Sequence, residues 1–169
     1  MKVIVHDASV LIDLVVADVL EQWLGLGHET IVTSLVWREI NRKSEKEKLQ
    51  PYVEKGLLKI AHLPSEAFSE VVVMKSDLSL DLSLEDVSAL YVAVSRKGIL
   101  LTGEKKLRQN AEKRGVEVHG LLWVFDILIE RGKMLASIAA DRLEHLVTKR
   151  TSRLPKDECS QRIKKWRSQ

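Results

Sequence analysis

A chain of 169 residues suits one domain with a core of its own, and 45% apolar against 30% charged residues is ordinary for a globular protein. No apolar run reaches the ~18 residues needed to cross a bilayer, and Asp7 breaks the opening apolar stretch where a signal peptide would continue. A spanning helix is thereby excluded, neither a secretory start nor a membrane partner is expected, and the single Cys159 fits a reducing, cytoplasmic setting.

Val3-Ile4-Val5 is a β-branched run of the kind that forms a strand buried on both faces. Asp7 closes it. A helical pattern through Val10, Leu11, Leu14 and Val15 follows and stops around Gly25 and Gly27. Thr30 to Thr33 reads as a second strand, leading into a helix with Val36, Glu39 and Ile40. The charged stretch Lys43 to Lys55 reads as an exposed helix interrupted near Pro51, Leu57 to Leu63 as a third strand, and Pro64 as a helix start. Ser83-Leu84-Glu85-Asp86 has the form of a helix N-terminus, with Ser83 capping and acids in the first turn. Ile99 to Thr102 is the next buried strand, a helix with Leu107 and Ala111 runs out at Gly115, Val116 to Val118 is a last short strand, and Leu121 to Ile129 is helical. Alternating strands and helices predict an α/β fold, a three-layer α/β/α domain on a mainly parallel sheet of four to five strands.

The last segment is basic, with Lys149, Arg150, Arg153, Lys156, Arg162, Lys164, Lys165 and Arg167 opposed only by Asp157 and Glu158. Such an end can attract phosphate backbones or simply form a solvated helix face. Cys159, Ile163 and Trp166 at helical spacing predict an amphipathic helix with its basic side outward. Trp23, Trp37 and Trp123 sit among apolar residues and read as core or interface rather than base-stacking platforms. His6, His119 and Asp126 read as structural.

Ligands of open parallel sheets bind outside the carboxyl ends of the strands. Asp7 stands just beyond the first strand, Glu39 in the helix after the second, and Glu104 just past the strand ending at Thr102. Asp86 joins them if its helix starts at the same edge. Four clustered carboxylates repel, and a divalent cation resolves this; oxygen-only ligation favours Mg²⁺ or Mn²⁺ over zinc. Ser9 and Thr102 can hydrogen-bond the carboxylates. Singly, each acid has a bland alternative: Glu39 as a surface acid, Asp86 as a helix-dipole partner, Glu104 as a first-turn acid.

At these residues the chain resembles a PIN domain, the nuclease fold of VapC-type toxins in toxin–antitoxin pairs. The matching text is Val5-His6-Asp7-Ala8-Ser9, Val36-Trp37-Arg38-Glu39-Ile40, Leu82-Ser83-Leu84-Glu85-Asp86, and Leu100-Leu101-Thr102-Gly103-Glu104-Lys105-Lys106-Leu107. It covers residues 1–132 as a PIN-like nuclease domain and extends more weakly into 133–169, a basic helical extension packed on the same domain. The resemblance implies a metal-dependent endoribonuclease, with Asp7, Glu39 and Asp86 at metal-ligand positions and Mg²⁺ or Mn²⁺ as cofactor. Glu104 departs from the pattern, which has aspartate there. Lys105, Lys106 and Arg108 are expected to hold the RNA backbone. A cognate antitoxin and a homodimer partner follow from the same likeness. The alternative is a catalytically weakened PIN fold that binds RNA or protein. A phosphate-accepting receiver needs paired acids after its first strand, and an aspartate-nucleophile phosphatase needs Asp-x-Asp; Asp7-Ala8-Ser9 meets neither.

Overall fold

The computed structural model describes residues 2–78, 81–149 and 154–169. Its elements run β1 (Val3–His6), α1 (Ala8–Val16), α2 (Leu20–Leu24), β2 (Glu29–Thr33), α3 (Ser34–Glu39), α4 (Lys43–Glu54), β3 (Leu58–Ala61), α5 (Ser65–Asp77), α6 (Leu84–Ser95), β4 (Ile99–Leu101), α7 (Lys105–Glu112), β5 (Val118–His119), α8 (Leu121–Glu130), α9 (Ala136–Lys149) and α10 (Lys156–Arg167). The five strands form one parallel sheet in the order β3-β2-β1-β4-β5. The expected α/β architecture and parallel sheet are therefore present.

The uncharged, β-branched β1 takes the centre, where Ile4 and Val5 have no exposed surface. Strand order reverses beside it, β2 and β3 lying on one side and β4 and β5 on the other. The gap between the carboxyl ends of β1 and β4 is thus the switch point at which such sheets bind ligands. Right-handed crossovers put α1 and α4 over one face, where α8 joins them, and α5, α6 and α7 over the other. The helix α6 lies across β1, β2 and β4.

Three local readings change. One helix after β1 becomes two, because the chain turns at Asp18 with a positive φ of 54°. Arg142 of α9 donates to both the carbonyl and the carboxylate of Asp18, tying that turn to the later helices. Pro51 does not interrupt α4. Leu49 is fully buried there, Tyr52 and Val53 pack against the core, and the Pro51 carbonyl still accepts the Lys55 N–H, so tertiary burial outweighs the missing donor. The last strand is Val118–His119 rather than Val116 to Val118, because the Val116 N–H is used to close α7 on the Ala111 carbonyl.

The C-terminal helices dock through both apolar and charged groups. Cys159 and Trp166 are buried, and the Trp166 ring lies 5.9 Å from that of Phe125 in α8. The basic side does not simply face outward. Arg162 grips Asp126 through Nε and Nη2, and Arg167 pairs with Asp141 and Glu144 of α9. Arg150 and Arg153 lie outside the described residues.

Candidate metal centre

Asp7 leaves β1 at the switch point and caps α1, accepting the Ser9 N–H at 2.5 Å and the Ser9 hydroxyl at 3.1 Å. Thr102, the residue after β4, donates its hydroxyl to Asp7 Oδ2, the same oxygen that accepts the Ser9 hydroxyl, while the Ser9 N–H bonds Oδ1. Thr102 also accepts the Glu104 N–H at 3.0 Å, so one buried hydroxyl joins the two strand ends. The register pairs Val5 with Ile31 and His6 with Leu101; continued two residues on β2 and one on β4, it sets Asp7 level with Thr33 and Thr102. Residues level in adjacent parallel strands point to the same face, here the one covered by α6.

Asp86 reaches this edge because α6 begins there. Its side chain accepts the Ser83 N–H at 2.9 Å while Ser83 Oγ accepts the Asp86 N–H at 3.0 Å, a reciprocal cap that fixes the first turn. Asp7 feels this neighbour. Burial pushes the Asp7 carboxyl above its ordinary range, hydrogen bonds from Thr102 and Ser9 pull it back, and the Asp86 carboxylate adds to the rise.

The other acids are placed less centrally. Glu39 is the last residue of α3 and is exposed, on a helix packed against α6. Glu104 caps α7 rather than entering its first turn, its carboxylate accepting the Lys106 N–H at 3.3 Å. Of the three cations assigned to RNA, Lys105 is exposed and Lys106 pairs with Asp81. Arg108 turns inward, donating to the Val118 and Thr102 carbonyls at 3.1 and 3.3 Å, and so staples the ends of β4 and β5.

Among the described residues no three Asp, Glu, His or Cys side chains stand ready-made as a metal-holding group. Asp7, Asp86 and Glu104 are each engaged by local hydrogen-bond donors. The donor set nonetheless fits a hard divalent ion: it is all oxygen, it lies at one sheet edge, and its most buried member lacks a neutralising cation. On the opposite face His6 is fully buried and accepts the Trp23 indole N–H at 3.1 Å. Burial lowers its imidazole to about 3, so it stays neutral beside the acids.

Thr33 and Ser88 carry no motif that singles them out. Both are buried, and their hydroxyls meet at 2.7 Å, linking the end of β2 to α6. The signal available was positional: Thr33 ends its strand at the level of Asp7 and Thr102.

A family model described as a PIN domain matches residues 3–168. In fold the chain is similar to the crystal structure of PAE2754 from Pyrobaculum aerophilum, with a TM-score of 0.50 and 19% identity over 79% of this chain and 98% of that one. That likeness concerns the fold alone. No curated protein matches.

Proposed function

The chain belongs to the PIN-domain family, within a nuclease superfamily, and from that premise we propose that it is a Mg²⁺- or Mn²⁺-dependent endoribonuclease, the VapC-like toxin of a toxin–antitoxin pair. The observation that carries the reading is the placement of Asp7: a carboxylate at the switch point whose ionisation is disfavoured chiefly by burial and further by the Asp86 carboxylate. Asp7, Glu39 and Asp86 would hold the ion, with Glu104 as a fourth donor. A divalent ion there supplies charge neutralisation at a scissile phosphate and lowers the pKa of water for in-line attack.

The remaining chemistry belongs to the chain itself. Thr102 and Ser9 fix the rotamer of Asp7, the Ser83 cap holds the turn that carries Asp86, and neutral His6 adds no charge to the edge. Lys105, exposed beside the site, is placed to meet an RNA phosphate, with Lys106 joining it if RNA displaces Asp81. Arg108 supports this contact indirectly by holding the strand ends. An antitoxin or a second copy of the chain has apolar surface to use, since Phe68, Val72 and Val73 of α5 are exposed, as are Leu135 and Ile138. No helix of the described residues is long and apolar enough to cross a membrane, and a cytoplasmic place of action is part of this reading.

Asp7→Asn should abolish Mn²⁺-dependent cleavage of single-stranded RNA by the purified protein. Unchanged cleavage would sink the assignment. One observation favours a second reading, a weakened site that binds RNA or protein: the Glu104 carboxylate is turned onto its own helix. Glu104→Asp separates the two. A large gain in rate marks a degraded site, and an equal or lower rate marks Glu104 as competent.

A further inference from the structure

Thr33 and Ser88 have no exposed surface, and 55 positions of sequence separate them, yet their hydroxyl oxygens lie 2.7 Å apart. Each hydroxyl owns one proton. Ser88 Oγ donates to the Glu85 carbonyl at 2.7 Å, so it receives its bond from Thr33. Thr33 Oγ1 in turn accepts the Val36 N–H at 3.1 Å as the N-cap of α3. The chain of donors therefore runs one way, from Val36 N–H through Thr33 and Ser88 to the Glu85 carbonyl.

Its two ends fall on the two helices that present acids. Val36 lies in the first turn of the helix that finishes at Glu39, and Glu85 immediately precedes Asp86. The six-residue α3 is far below the ~12 residues at which isolated helices become even marginal, and within it only Val36 is buried. Its direction must be set from outside. A hydrogen bond shielded from water is well suited to that, because breaking it leaves the buried Thr33 proton without an acceptor and costs the buried Ser88 oxygen its donor.

We propose that the buried Thr33–Ser88 hydroxyl pair is a positioning device, clamping α3 to α6 and so setting the separation of Glu39 and Asp86 for a shared divalent ion. This rests on the metal-dependent reading above. Thr33 and Ser88 act through the acids and touch neither ion nor substrate. Thr33 also completes a pattern: Thr102 steadies Asp7 from β4, and Thr33, level with Asp7 on β2, steadies the helix pair on the other side.

The test is Mn²⁺ binding by titration calorimetry on the full chain, with wild type, Thr33→Val, Thr33→Ser and Ser88→Ala, each first checked for folding by circular dichroism. The expected result is a loss of affinity of about tenfold or more in Thr33→Val and Ser88→Ala, with Thr33→Ser retaining it to within about twofold because the hydroxyl remains. A role in stability alone would lower the unfolding midpoint and leave the affinity of the folded variants unchanged; that outcome overturns the proposal. Ser88→Ala, the smaller perturbation, decides it if Thr33→Val does not fold. If wild type itself binds no Mn²⁺, the metal-dependent reading falls and takes this inference with it; normal binding in wild type and variants alike overturns this inference only.

Discussion

Replacing Thr102 with valine keeps the shape of a fully buried side chain and deletes one hydroxyl that serves two partners. Asp7 Oδ2 loses one of its two donors, the Ser9 hydroxyl remaining, and the Glu104 N–H loses its acceptor at 3.0 Å. A hydrogen bond to an ionised group contributes about 1.5–3 kcal/mol, and an ordinary one about 1 kcal/mol. Ser9 still donates to Asp7, and half-buried Glu104 can draw on water, so Thr102→Val should cost about 2–4 kcal/mol at pH 7. The cost should also depend on pH. Asp7 has a raised folded-state pKa, so the folded protein binds a proton more readily than the unfolded chain, and stability falls as pH climbs from the unfolded carboxyl pKa of about 3.9 through the folded value. Removing the Thr102 donor raises that folded value further and deepens the fall. Urea denaturation without metal should therefore show a larger deficit at pH 7 than at pH 4, because the carboxylate gains more from the Thr102 donor than the neutral carboxyl does and its share grows with pH. Thr102→Ser, which keeps the hydroxyl, should show little of this pH dependence. A Thr102→Val deficit that is equal at the two pH values, or larger at pH 4, would refute the reasoning.

His6, lowered to about 3 by burial, should remain neutral between pH 5 and 8, visible as unchanging imidazole shifts by NMR; protonation near pH 6 would contradict its placement against Trp23. Because its folded-state pKa is depressed, it should cost the protein stability as pH falls below the unfolded value of about 6.5. Trp166→Ala should remove about 3–5 kcal/mol by emptying the seat of α10 on Phe125, measured by thermal or chemical unfolding; a change under about 1 kcal/mol would mean that the helix is not docked there.

The strands were readable because a parallel sheet buries both faces, leaving Val3-Ile4-Val5 and Ile99-Leu100-Leu101 as unbroken apolar runs. Asp7 was readable for the complementary reason: a charge closing such a run falls at a strand's carboxyl end. The Ser83 to Asp86 cap is a local pattern and appeared where expected. What was hidden depended on distant contacts. The turn at Asp18 has no glycine to announce it, and its anchor, Arg142, lies more than a hundred residues away. Arg108 reads as a free cation until β4 and β5 place two carbonyls within its reach. Arg162 and Arg167 likewise read as a basic surface, yet their partners on α8 and α9 draw them into docking the tail. The Thr33–Ser88 bond exists only because α6 crosses β2, which no local pattern encodes.

A metal-dependent nuclease site requires that the acids at the carboxyl ends of β1 and β4 share a divalent ion. Crystals of the protein soaked in Mn²⁺, with anomalous scattering recorded at the manganese edge, answer this directly. The expected result is a peak liganded by Asp7 and Asp86, with Glu39 or Glu104 turned toward it and the Asp86 carboxylate drawn from the Ser83 N–H. Full-strength manganese elsewhere on the molecule, with this edge empty and both carboxylates still on their local donors, would contradict it.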